Sequence, residues 1–228
     1  MKVCVFGDSI AKGVFFDDKR NRYALLKDSF INMIRHRTDI EIENYACFGC
    51  TVSKGLRLLE KTEDELKSYD YTFIELGGND CDFNWASVAE NPDFEHECNT
   101  PLDAFKEKYK SMIERTRAAG SRPLLVSLPP IDSTRFFNWV SKGLNKENIL
   151  KFLGDVEHIA RWQSMFNDAV HQISRIYDLP LFDIRSKFLG GKRLTDYLCK
   201  DGIHPNSEGH KLIYTAIAEK SGLLPLPV

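Results

Sequence analysis

Short, almost wholly apolar runs that stop at a glycine or proline break recur along this chain and constrain its fold more than any other feature. The first is Lys2-Val3-Cys4-Val5-Phe6, which breaks into Gly7-Asp8-Ser9-Ile10. Ile40 to Asn44, Tyr71-Thr72-Phe73-Ile74-Glu75-Leu76, Leu124-Leu125-Val126-Ser127-Leu128 and Leu181-Phe182-Asp183 follow. Runs of this length, rich in β-branched and aromatic residues, read as strands. The first is too apolar for a sheet edge and belongs at the centre. Between the runs, apolar residues recur at spacings of three and four, the mark of helices with one buried face. These stretches are Tyr23 to Arg37, the segment around Leu56, Leu58, Leu59 and Leu66, Pro101 to Ala119, Asp155 to Tyr177, and about Asn206 to Lys220. Strands alternating with helices predict a three-layer, doubly wound α/β fold with right-handed crossovers. Its parallel sheet has five strands, and the order 2-1-3-4-5 places strand 1 centrally.

A chain of 228 residues suits one domain, 1–228, interrupted by two aromatic stretches without clear periodicity near 81–100 and 131–154. With 31 basic and 33 acidic residues, the net charge of -2 offers no footprint for nucleic acid or an anionic membrane. Six unevenly spaced cysteines fit reduced thiols. The strand beginning at Lys2 leaves no room for a signal peptide, and no run reaches membrane-spanning length, so a cytoplasmic protein is expected.

Four features fall at strand ends or at an adjoining helix start: Ser9, Gly49, Asn79, and the pair in Asp201-Gly202-Ile203-His204-Pro205. Strand carboxyl ends are where α/β sheets place their chemistry. A serine hydroxyl becomes a useful nucleophile when a base takes its proton, and an imidazole does so near neutrality. Of the histidines, His204 fits best. Asp201, three residues earlier in a glycine-containing turn, can fold back on Nδ1-H and leave Nε2 for Ser9. Pro205 holds His204 in an extended conformation. The other histidines read as structural: His36, His158, His171 and His210 as surface or groove residues of helices, and His96 as part of an insert. For a tetrahedral oxyanion, Ser9 and Gly49 offer backbone N–H groups and Asn79 a side-chain amide.

Together these segments resemble the SGNH subgroup of the GDSL hydrolases, flavodoxin-like esterases, lipases and acyl hydrolases. The blocks are Gly7-Asp8-Ser9-Ile10, Asn44 to Thr51, Gly77-Gly78-Asn79-Asp80 and Asp201-Gly202-Ile203-His204-Pro205, in that order. The resemblance implies Ser9 as nucleophile, Asp201 and His204 as its partners, and Ser9, Gly49 and Asn79 as the oxyanion hole. Phe48 and Cys50 depart from the small or polar neighbours common around the second-block glycine. The GxSxG elbow of α/β-hydrolases is absent.

The expected substrate is a small-molecule ester, with no cofactor or metal. Asp8, Phe15, Asp80, Trp85 and Trp139 are candidate substrate contacts. Aromatic residues of the inserts, interleaved with Asp82, Asn84, Asp132, Asn138 and Lys142, suggest a short acyl group on a carbohydrate-like alcohol. A lysophospholipase or thioesterase is the alternative within the family. From other classes, Cys47-Phe48-Gly49-Cys50 invites a thiol redox reading, and the fold could serve as a silent carbohydrate-binding module.

Overall fold

The computed structural model describes residues 1–221, and residues 222–228 of the expected domain lie outside them. The strands are β1 (Lys2–Gly7), β2 (Val14–Asp17), β3 (Arg22–Leu25), β4 (Glu41–Asn44), β5 (Tyr71–Glu75), β6 (Arg122–Val126) and β7 (Leu181–Phe182). The helices are α1 (Ser9–Lys12), α2 (Phe30–Arg37), α3 (Val52–Lys61), α4 (Glu63–Leu66), α5 (Trp85–Glu90), α6 (Leu102–Ala118), α7 (Ser133–Val140), α8 (Lys146–Leu153), α9 (His158–Ile176), α10 (Arg185–Leu189) and α11 (Ser207–Ser221).

The main sheet has the order β4-β1-β5-β6-β7, and its registered pairs are all parallel. Counted along the sheet strands alone, this is the expected order 2-1-3-4-5. Alternation along β1 explains its central place. Val3 and Val5 join the core shared with α2 and α11, while Cys4 and Phe6 join the core shared with α3, α6 and α9. Burying both faces of one strand requires helices above and below it, which gives the three layers. The register also matters for the site, because Gly7 lies opposite Glu75 and so sets the turn after β1 beside the end of β5.

The stretch Tyr23 to Arg37 is not one helix. Residues 22–25 form β3, which pairs antiparallel with β2, and α2 begins only at Phe30. Helical spacing at Leu25 and Leu26 was misleading, since Leu25 is 62% exposed. The competing signal is period two. Val14 and Phe16 are buried on one face of β2, and Asn21, at φ 48, turns the chain between the strands. Ser29 caps α2 by accepting from Asn32 N–H at 3.4 Å.

The two insert stretches are helical. Residues 81–100 carry α5, residues 131–154 carry α7 and α8, and together they build a small core of Val88, Phe136, Phe137, Ile149, Leu153 and Ile159. Asn84, Asp132 and Asn145 begin these helices, each accepting a backbone N–H three residues on. Among the described residues no helix is long and apolar enough to cross a membrane.

Candidate active site

The break after β1 creates the centre of the site. Asp8 caps α1, its Oδ1 accepting from Ile10 N–H at 2.8 Å, so Ser9 becomes the first residue of a short helix and is almost buried. Far along the chain, the loop before α11 brings His204 to it. Nδ1–H of His204 donates to Asp201 Oδ2 at 2.7 Å, which leaves Nε2 to accept from Ser9 Oγ–H at 2.9 Å. The other carboxylate oxygen of Asp201 accepts the backbone N–H groups of Ile203 and His204, each at 3.1 Å. Burial works against the Asp201 charge, but the His204 bond and these amides outweigh it and hold the carboxyl below its ordinary value. A hydroxyl bonded to an imidazole, itself bonded to a carboxylate, can lose its proton as the oxygen attacks.

Gly202 makes this loop possible. Its φ is 81°, and a Cβ there would sit 2.6 Å from Phe136 N and 2.7 Å from Asp132 O. Gly202 O accepts from Asp132 N–H at 2.9 Å, so the loop lies against the start of α7. The imidazole is also flanked by rings: Phe48 is stacked at 6.0 Å and Tyr23, from β3, is tilted at 5.1 Å. Sequence reasoning missed Tyr23 because the β2–β3 hairpin went unseen.

Ser9, Gly49 and Asn79 line one pocket. Gly49 has a φ of 64°, and nothing stands within 4 Å of where a Cβ would point, so the backbone there is open to close approach. The Asn79 amide nitrogen donates to Asp8 Oδ2 at 3.1 Å and to Cys50 O at 3.3 Å. Glu75 was missed in the sequence. It is 1% exposed at the end of β5, and its Oε2 accepts from Asp8 N–H and Ala11 N–H at 3.3 Å each, on either side of Ser9. The available signal was a single acid between Ile74 and Leu76 in an otherwise apolar strand.

The candidate substrate contacts divide. Asp8, Trp85 and Trp139 line the pocket, whereas Phe15 and Asp80 do not. Asp80 is fully buried, and both of its oxygens accept from Val52 N–H at 3.0 Å, fixing the start of α3 instead of facing a ligand. Phe15 sits half-buried on β2. His158 also lines the pocket, and His210 is a fully buried core residue, not a surface one.

Beyond Ser9 the pocket, about 270 Å³, is walled by Phe83, Trp85, Phe136, Trp139, Leu153 and Trp162. The polar insert residues picked out in the sequence all have partners within the protein. Asp82 accepts from Trp85 Nε1–H at 2.8 Å, Asn84 and Asp132 cap helices, Asn138 accepts from Lys146 at 2.6 Å, and Lys142 lies over the Trp139 ring. The wall is largely aromatic and aliphatic, with Trp85 and Trp139 on it and Asp82 the polar insert residue among its lining. Cys50 is buried, and burial pushes its thiol up, away from the thiolate that redox chemistry uses. Among the described residues no group of three or more His, Cys, Asp or Glu side chains is placed to hold a metal ion.

Proteins of known structure share this fold. The chain resembles the Bacillus subtilis (strain 168) protein named uncharacterized lipoprotein YqeF, with 23% identity over 95% of this chain and 88% of the relative. Among solved structures, a lipase/acylhydrolase from Enterococcus faecalis superposes with a TM-score of 0.67 at 19% identity, covering 100% of this chain and 98% of the other. A catalytic mutant of Axe2, an acetylxylan esterase from Geobacillus stearothermophilus, superposes with a TM-score of 0.65 at 16% identity, covering 97% and 94%. The sequence model of the GDSL-like lipase/acylhydrolase family matches residues 5–212, and the chain belongs to that family.

Proposed function

We propose that this chain is a serine esterase that hydrolyses short- to medium-chain acyl esters. Ser9 Oγ attacks the ester carbonyl, His204 takes its proton and passes it to the departing alcohol, and Asp201 keeps the ring in the tautomer this requires. Backbone N–H groups of Ser9 and Gly49 and the Asn79 amide receive the negative charge of the tetrahedral oxygen. A water molecule then repeats the sequence on the acyl-enzyme. The observation that carries the reading is the 2.9 Å contact of Ser9 with an imidazole already bonded to a buried carboxylate, at the foot of an apolar pocket.

The acyl group enters between the inserts. A pocket of about 270 Å³ lies at the small end of the roughly 300–1,000 Å³ usual for ligand sites, which favours acetyl to octanoyl over palmitoyl groups. A carbohydrate-like alcohol is the second half of the reading. Its support is the acetylxylan esterase among the proteins of this fold, together with Asp82, Trp85 and Trp139 on the pocket wall. A cytoplasmic setting fits the six free cysteines; the relative called a lipoprotein makes cell fractionation the direct test.

The deciding experiment is a panel of p-nitrophenyl esters from acetate to palmitate, with an acetylated xylo-oligosaccharide alongside, on the parent and on Ser9→Ala. Turnover should be fastest at the short end and absent from the variant. A kcat/KM climbing steadily to palmitate would move the protein toward the lipases. A folded Ser9→Ala protein with parental activity would remove the reading altogether.

A further inference from the structure

Beside Ser9 lie two carboxyls that the reaction scheme leaves without a task. Asp8 is 2% exposed and Glu75 1% exposed, and they meet where the end of β1 faces the end of β5. The oxygens of Asp8 are both occupied, Oδ1 by Ile10 N–H and Oδ2 by the Asn79 amide. Oε2 of Glu75 is occupied by Asp8 N–H and Ala11 N–H. Oε1 of Glu75 is enclosed and meets no N–H or O–H donor among the described residues.

A buried carboxylate oxygen without a donor is costly, and two neighbouring carboxylates in a dry site cannot both keep their charges cheaply. One proton resolves both problems. Placed on Glu75 Oε1, it turns the orphaned acceptor into a donor, and the Asp8 carboxyl lies within hydrogen-bond reach of the Glu75 carboxyl.

We infer that Glu75 is held as the neutral acid and donates to Asp8, so that one proton and one negative charge, shared by the pair, fix both the Ser9 turn and the Asn79 amide. The inference rests on the esterase reading for its consequence, since Asn79 and Ser9 are the groups being held. Glu75 touches no reacting atom in this scheme and is a positioning residue. The electrostatics agree. Burial, then the Asp8 charge, lifts Glu75 well above the usual carboxylate range, while burial lifts Asp8 only to about 6 against the Ile10 N–H and the His204 charge. Both shifts run in the direction that a proton shared by the pair requires, with Glu75 the more strongly raised of the two. The titratable groups facing it are Asp8 from the turn after β1, Asp80 from the loop after β5, Tyr109 from α6 and, through Asp8, His204.

The test compares Glu75→Gln with Glu75→Ala. Glutamine keeps an acceptor for the two backbone amides and an N–H donor for Asp8, so kcat at neutral pH should stay within about threefold of the parent. Alanine removes both, and kcat should fall about 10²-fold with KM little changed, the scale of a misplacement near the chemistry. The parent should lose kcat at alkaline pH as Glu75 ionises beside Asp8, and Glu75→Gln should lack that limb. Difference infrared spectra at neutral pH should show a protonated-carboxyl stretch in the parent that is missing from Glu75→Gln. This last readout needs neither turnover nor the alanine variant to fold. No such band, or an alkaline limb unchanged in Glu75→Gln, would overturn the inference. A fully active Ser9→Ala protein would instead overturn the esterase reading while leaving the shared proton to be judged by its spectrum.

Discussion

His204 and His210 stand close together, just before α11 and inside its first turn, and they are buried to nearly the same degree, 3% and 0% exposed. Their partners differ. The ring of His204 has a carboxylate on one nitrogen and a hydroxyl on the other. His210 Nδ1 accepts only the Phe30 N–H at 3.4 Å, and its Nε2 meets no donor or acceptor among the described residues. Burial pushes His210 down to about 4, so it is a neutral spacer between α11 and α2. Burial alone makes an inert histidine. Burial beside a paired acid can make a base, because the acid stabilises the cation that proton transfer creates. The acids divide along the same line: three donors hold Asp201 below the ordinary carboxylate value, whereas burial and the charge of Asp8 lift Glu75, with its orphaned oxygen, above it.

The largest expected effect tests whether His204 is the base at all. Ser9→Ala and His204→Ala should each lower kcat by about 10⁵- to 10⁶-fold with the fold intact, and the double variant should be scarcely worse, since such groups act as one unit. Multiplicative losses in the double variant would break the comparison. Next, Asp201→Asn should leave His204 buried with its supporting charge gone, much as His210 is, and lower kcat about 10⁴-fold. A loss below tenfold would show that the carboxylate is not what separates the two rings. Asn79→Ala should cost about 10²- to 10³-fold in kcat with little change in KM, because its donor matters once the oxyanion forms.

The smallest effect is on stability and concerns His210. Its folded value lies below its ordinary 6.5, so its contribution is fully present above about 6.5 and is lost as pH falls through about 4, while the unfolded chain takes up the proton. Denaturant titrations should therefore show the parent losing about 3 kcal/mol more than His210→Asn between pH 6.5 and 4. Identical pH profiles for the two proteins would mean that His210 is not held neutral.

Much of the sheet was legible in the sequence because burial on both faces writes continuous apolar runs, and Val3 to Phe6 is such a run. The Asp201–His204 pair was legible because its geometry is local, three residues around one glycine. What stayed hidden depends on distant partners. Leu26 has helical spacing with Phe30, and only the pairing of β3 with β2 ends that reading just before it. Asp80 looks like a pocket residue until the N-terminus of α3 is placed on it. Among the polar residues of the inserts, Asn84 and Asp132 serve as helix caps and Lys142 lies on a ring, partners the sequence does not show. Glu75 could be noticed as an oddity in an apolar strand, but its meaning needs Asp8, which only the β1–β5 register supplies.

The seat of Gly202 on the first turn of α7 ties two properties that a protein family might want to vary independently. The Asp132 N–H that Gly202 O accepts belongs to the residue that starts the pocket's wall, and the space between them admits no side chain. A lineage that remodels 131–154 to admit a different acyl group therefore disturbs the perch of the imidazole in the same step. On the esterase reading, specificity and turnover are linked at this contact, and a transplanted insert would have to bring its own landing place for the loop.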